Sequence, residues 1–234
     1  MVKVIAFDVF GTVVDWHGSI ARHVDALQLG VVGSDFATAW REGYKPAMDK
    51  VRSGQLGWTR IDDLHRMILD EIIDRFGLEM EEDARARLNL IWHRLDPWPD
   101  SAPGLWQLKS RFTICTLSNG NIGLLTDMAK HAGLPWDCVL SAEVFRHYKP
   151  DPQTYLGVSD IFAVDTSQVL MAAAHKDDLR AAAACGCRTA YIERPFEFGT
   201  TPEALARKDL SVDPSFDYHA RDIQDLATQL LKTP

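Results

Sequence analysis

The chain has 234 residues, 46% of them hydrophobic, and a formal net charge of −8 at pH 7. That length and apolar content support one α/β domain carrying an insertion, or two small domains, and exclude a disordered chain. The acidic balance argues against general nucleic-acid or anionic-membrane binding, which both require a basic surface, while leaving room for a local basic pocket around a small anion.

The N-terminal residues 1–8, MVKVIAFD, meet a carboxylate after a short apolar run. This is too short for a signal peptide or a membrane span, and no later run approaches the required length. Residues 4–7, with β-branched members and Gly11 close behind, predict a buried strand ending in a turn. From about residue 17 to 95 the pattern changes. Leu64, Ile68, Ile72 and Ile73 recur at helical spacing, as do Leu88, Ile91, Trp92 and Leu95, and no strand pattern stands out. Asp96-Pro97-Trp98-Pro99 closes the stretch as a stiff extended hinge.

Beyond the hinge, helices are expected at 105–109, 122–132 and 178–185, the last two stopping at Gly133 and Gly186. Short apolar runs at 113–117, 139–140, 169–174 and 189–192 read as strands, and 222–231 as a terminal helix. Alternating strands and helices imply an α/β fold: a Rossmann-like parallel sheet core with helices on both faces. Residues 1–15 and 97–234 would form that core, interrupted after the first strand by an α-helical cap, residues 16–96. Cys115, Cys138, Cys185 and Cys187 show no zinc-type C-x-x-C spacing and are expected to be reduced thiols in the cytoplasm.

Ligands of open parallel sheets bind at the carboxyl ends of strands. The first strand delivers Asp8, then Phe10, Gly11 and Thr12; the next core strand delivers Ser118, Asn119 and Gly120. The segment after Val144 delivers Lys149, and the run 169–174 delivers His175, Asp177 and Asp178. A carboxylate, a hydroxyl with an amide, a lysine and a carboxylate pair would thus converge at strand ends.

That ordered set, D-x-x-G-T, S-N, K-P and an acidic pair, resembles the haloacid dehalogenase superfamily across its whole core. Most of that superfamily are magnesium-dependent phosphatases, and two positions separate this chain from them. Where phosphatases carry a second Asp as general acid, this chain has Phe10; where they carry an Asp metal ligand, it has Ala174. Octahedral magnesium needs carboxylate oxygens, so the expected metal site is incomplete and no cofactor is expected. Halide is already a good leaving group, so its displacement needs no acid at position 10.

Ala39-Trp40-Arg41, Ser118-Asn119-Gly120 and Lys149-Pro150-Asp151 with Tyr155 are similar to segments of type II L-2-haloacid dehalogenases. The resemblance implies a metal-independent hydrolase converting a small halogenated carboxylic acid to the D-2-hydroxy acid, acting as a homodimer. Asp8 would displace halide and form an ester. Arg41 and Asn119 would receive the halide, Ser118 would hold the substrate carboxylate, and Phe10 would wall the pocket. Lys149 would keep Asp8 ionised, since opposite charges ~4 Å apart attract by about 4 kcal/mol at an effective dielectric of 20. Thr12 would steady the nucleophile's loop, and Tyr155 would steady Lys149 or the pocket wall. Asp178 would activate the hydrolytic water. His175, where the relatives carry asparagine, is an alternative activator, because imidazole titrates near neutrality.

Blander readings stand beside these. Asp8 is a residue type common in turns, Arg41 an exposed helix cation, Ser118-Asn119 a helix N-cap, Lys149 a solvated loop residue, and His175 or Asp177 a cap of the following helix. Trp16, Trp40, Trp58 and Trp92 read first as cap core or as the interface between cap and core. Two further functions compete: a phosphatase acting on a small phosphomonoester, and a catalytically silent relative that binds a carboxylate.

Overall fold

A computed structural model describes residues 1–232; the last two positions of the expected core and its terminus, 233–234, lie outside the described residues. Strand β1 (Val4–Phe7) is buried along its whole length, as a continuous apolar run with no polar face requires. Beyond it the chain turns at Gly11 and forms β2 (Val14–Asp15), which pairs antiparallel with β3 (Asp96–Pro97). Between β2 and β3 lie α1 (Trp16–Ala26), α2 (Gly33–Arg52), α3 (Ile61–Arg75), α4 (Glu82–Asn89) and a 3-10 turn, Leu90–Arg94. Asp15 starts α1 by accepting the Gly18 N–H at 2.8 Å. Asp96 and Pro97 of the expected stiff hinge are therefore half of a two-stranded ribbon that brackets these helices.

The remainder runs α5 (Ser101–Lys109), β4 (Thr113–Ser118), α6 (Ile122–Ala132), β5 (Cys138–Ser141), α7 (Ala142–Phe145), α8 (Pro152–Phe162), β6 (Val169–Ala173), α9 (Lys176–Ala184), β7 (Arg188–Ile192), α10 (Pro202–Ala206), β8 (Tyr218–Ala220) and α11 (Ile223–Lys232). Six strands form a parallel sheet in the order β5-β4-β1-β6-β7-β8. Alternate side chains of β1 serve opposite faces. Ile5 and Phe7 join a core with Leu105, Leu125 and Leu226 that runs on into the helical insertion. Val4 and Ala6 pack with Tyr155, Val158 and Leu179 on the other face.

Phe7 is level with Thr116 on β4 and with Ala172 on β6, so the residues following these three strands emerge along one edge. The chain passes from β1 outward through β4 to β5, then crosses to β6 on the other side of β1. That reversal places a crevice at the carboxyl end of β1. Two expectations change. Strands β2, β3 and β8 carry no apolar run and are held by their partners, so the sequence pattern did not reveal them. Lys149 does not sit at a strand end: β5 stops at Ser141, and α7 intervenes before the loop that carries the lysine to α8.

Candidate active site

Asp8 follows β1 directly and is only 6% exposed. Its Oδ1 accepts from Lys149 Nζ at 2.9 Å, and its Oδ2 accepts from Thr12 Oγ1 at 2.8 Å and faces His175 Nδ1 at 3.0 Å. Thr12 reaches back because Gly11 takes φ = +83°, a left-handed turn suited to glycine. The Thr12 hydroxyl in turn accepts the Ala174 N–H at 2.8 Å, tying the β1 turn to the end of β6.

Lys149 is buried and also donates to Asp178 Oδ2 at 2.5 Å, while Tyr155 donates to Asp178 Oδ1 at 2.5 Å. Tyr155 therefore steadies the carboxylate that holds Lys149, not the lysine itself. Burial disfavours both ions, but mutual attraction outweighs it: Lys149 and His175 hold the Asp8 carboxyl below the usual carboxylate range. Asp178 and Asp8 likewise hold the lysine protonated above its ordinary value. The result is a carboxylate that stays ionised without being solvated.

His175 is half-buried between two carboxylates, with Nε2 at 2.8 Å from Glu197 Oε1. Acceptors on both sides require a proton on each ring nitrogen, which makes the ring a cation. Burial opposes that charge, but Glu197 and Asp8 together push its pKa up to about 9. Glu197 itself is fully buried, bound also by Lys208 Nζ and, at 3.4 Å, by the Trp16 indole N–H. Burial would raise its carboxyl, yet His175 and Lys208 bring it down to about 2. Three carboxylates, Asp8, Asp178 and Glu197, thus face three cations, Lys149, His175 and Lys208.

A cavity of about 280 Å³ opens over Asp8 between the sheet edge and α2. Of the residues expected at the site, Asp8, Phe10, Arg41, Asn119, Lys149, Tyr155, His175 and Asp178 line it. Arg41 stacks over Tyr44, its guanidinium carbon 4.1 Å from the ring centroid, and among the described residues it makes no ion pair with a carboxylate. Burial pushes the Tyr44 phenol up to about 12. Asn119 Oδ1 accepts the Lys149 backbone N–H at 2.8 Å, fixing the loop that carries the lysine. Phe10 is buried edge-on against Trp92 and Tyr44, forming an apolar wall.

A family model for haloacid dehalogenase-like hydrolases matches residues 2–186. The chain belongs to that family. It is similar to the crystal structure of an L-2-haloacid dehalogenase (PA0810), 44% identical with a TM-score of 0.93 and covering 98% of this chain and 100% of that one. A defluorinating L-2-haloacid dehalogenase (Rha0230) is 42% identical at a TM-score of 0.92, over 98% of this chain and 95% of that one. The curated (S)-2-haloacid dehalogenase 1 of Pseudomonas sp. (strain CBS-3) is 28% identical over 91% of this chain and 95% of its own length.

Magnesium, which much of the wider superfamily uses, does not fit this family member's donor set. The Lys149 ammonium already bridges Asp8 and Asp178, Ala174 offers only its backbone, and Phe10 offers no oxygen. Among the described residues, no group of three or more His, Cys, Asp or Glu could hold a metal ion.

Two expected residues stand outside the cavity lining. Thr12 lies beneath it, on Asp8. Ser118 is fully buried and accepts the Gly120 N–H at 3.1 Å, bracing the turn after β4. The capping alternatives also resolve: Asn121 is the N-cap residue of α6, His175 makes no side-chain cap bond, and Asp177 is exposed and pairs with Arg180. Trp16, Trp40 and Trp92 are fully buried, whereas Trp58 is half-buried against Tyr148. Sequence reasoning missed Tyr44 and Glu197. Tyr44 sits one helical turn from Arg41, a spacing that signals a shared face. Glu197 lies in the loop after β7, a further strand end whose acidic residue could have been weighed.

Proposed function

We propose that the protein hydrolyses the carbon–halogen bond of short L-2-haloacids, giving D-2-hydroxy acids through an ester on Asp8 and without a metal ion. The observation that carries this reading is a buried, ionised Asp8 facing a small cavity lined by an apolar Phe10 and by Arg41, which has no carboxylate partner among the described residues. The relatives named above support the substrate class.

Asp8 Oδ1, with one donor on it, is the oxygen with a free side. It attacks C2 in line, forming C–O as the carbon–halogen bond breaks and the halide leaves with the bonding pair, which inverts the carbon. Arg41 and the Asn119 amide receive the halide. The wall of Phe10 and Tyr44 excludes water, leaving the carboxylate poorly solvated and more reactive toward carbon. Water then attacks Asp8 Cγ, so the product keeps the oxygen that Asp8 supplied. Asp178 has both oxygens hydrogen-bonded, to Lys149 and Tyr155, so it acts as part of a proton-holding pair rather than as a free base.

The same reading takes residues 16–96 as a cap over a core of 1–15 and 97–234, in a cytoplasmic homodimer. Light scattering on the purified protein measures the last point. No helix among the described residues is long and apolar enough to cross a membrane. A phosphatase would need an acid for its leaving alcohol, which Phe10 cannot supply. A silent relative would have no use for a lysine-paired nucleophile.

The test is chloride release from L-2-chloropropionate in EDTA, run beside p-nitrophenyl phosphate with magnesium. Asp8→Asn, verified by mass spectrometry to be free of deamidation, should release none. Strong metal-dependent phosphatase activity without chloride release would overturn the proposal.

A further inference from the structure

A carboxylate with no solvent exposure is costly unless it is paired, and Glu197 is paired twice while standing outside the cavity lining. Its Oε2 accepts from Lys208, which also donates to the Ala174 carbonyl at 2.7 Å, so it is anchored to the end of β6. Its Oε1 faces His175, whose other nitrogen points at Asp8 Oδ2. The two Asp8 oxygens are therefore unequal: Oδ1 has Lys149, while Oδ2 has both Thr12 and His175.

We infer that Glu197 is a positioning residue that holds His175 as a charged donor on Asp8 Oδ2, so that His175 and Thr12 form the oxyanion hole for hydrolysis of the Asp8 ester. The inference rests on the aspartyl-ester reading above. Once Oδ1 is bonded to carbon, Oδ2 is the ester's carbonyl oxygen. Water adds to Cγ and the carbonyl pair moves onto Oδ2, which has donors at 2.8 and 3.0 Å, inside the range that stabilises such charge. One water proton passes to the Asp178–Lys149 pair. As the C=O re-forms, the Cγ–Oδ1 bond breaks, and Lys149 returns a proton to Oδ1 of the departing hydroxy acid. The second water proton leaves the new Asp8 carboxyl for solvent.

Glu197 is decisive because esterification removes the charge of Asp8. The groups facing His175 are Asp8 on one side and Glu197 on the other, with Lys149, itself bound to Asp178, and Lys208 behind them. In the ester, Glu197 alone keeps the imidazolium charged. His175 is thereby a donor to the oxyanion, not the base that deprotonates water.

Rapid-quench kinetics with L-2-chloropropionate test this. Glu197→Gln should release one chloride per site at close to the wild-type rate and then turn over at least ~10-fold more slowly, about 1.4 kcal/mol in barrier. The ester on Asp8 should accumulate, visible by intact-protein mass. The alkaline fall of turnover should lie at lower pH in Glu197→Gln than in wild type, moving toward the ordinary imidazole value of 6.5. His175→Asn, at a half-exposed position and still a neutral donor, should accumulate ester with no alkaline fall in that window, and it carries the test if Glu197→Gln does not fold. Burst and turnover falling together with no adduct, or a Glu197→Gln profile equal to wild type, would overturn the inference. Wild-type protein that releases no chloride at all would overturn the function proposed above, and this inference with it.

Discussion

Gly11→Ala combines two strains that Gly30→Ala separates. Both glycines have positive φ, +83° and +76°. A methyl at Gly30 meets nothing within 4 Å, whereas at Gly11 it would stand 2.3 Å from Glu197 Oε1 and 2.7 Å from its Cδ. The left-handed backbone costs an alanine roughly 1–2 kcal/mol at either position. At Gly11 the methyl also displaces a fully buried carboxylate that cannot swing into solvent, losing a charge-assisted hydrogen bond to His175 or Lys208 worth about 1.5–3 kcal/mol. Gly11→Ala should therefore be about 2 kcal/mol less stable than Gly30→Ala in urea unfolding. For a chain of this length, that corresponds to a Tm lower by about 4–8 °C. Turnover should fall on the order of tenfold for Gly11→Ala alone. Equal stability losses in the two variants, with unchanged turnover, would refute the close approach of Glu197 to the turn after Asp8.

Arg194 is buried, donates to both oxygens of Asp100 at 2.8 and 2.7 Å, and holds the Thr12 carbonyl at 2.8 Å. Arg194→Met leaves Asp100 without its cation and should cost about 3–5 kcal/mol in urea unfolding; a loss under 1 kcal/mol would show the pair to be dispensable. Arg41→Ala should lower kcat/KM by on the order of a hundredfold through lost anion stabilisation, with little change in Tm, and an unaltered kcat/KM would remove Arg41 from the site. Glu197, lowered to about 2 in the folded chain, contributes stability that is fully present above its unfolded value of 4.5 and is lost as pH falls through about 2. His175, raised to about 9, contributes stability that is full below 6.5 and disappears as pH rises through about 9. Tm measured from pH 2 to 10 should therefore plateau between about 5 and 6.5. Glu197→Gln should flatten both limbs, because it removes the partner of His175.

The parallel core was legible because β1, β4, β6 and β7 are buried on both faces and so are written as apolar runs closed by glycine or polar residues. Strand β8 was not, since Tyr218-His219-Ala220 lies at the sheet edge, where a polar side chain costs nothing. Asp8, Lys149 and Asp178 were readable as chemistry-bearing types in a fixed chain order. Phe10 and Ala174, by what they lack, narrowed that chemistry toward carbon.

Tertiary structure alone decided which atoms meet. It turned Ser118 inward onto Gly120, gave Tyr155 to Asp178 rather than to Lys149, and carried Lys149 on a loop rather than a strand end. It also set Glu197 behind His175, across 22 residues of chain. Local sequence specifies a strand or a turn through periodicity and backbone preference. The partner of a buried charge is specified by the geometry of several loops converging at one sheet edge, where desolvation makes each unpaired ion too costly to leave alone.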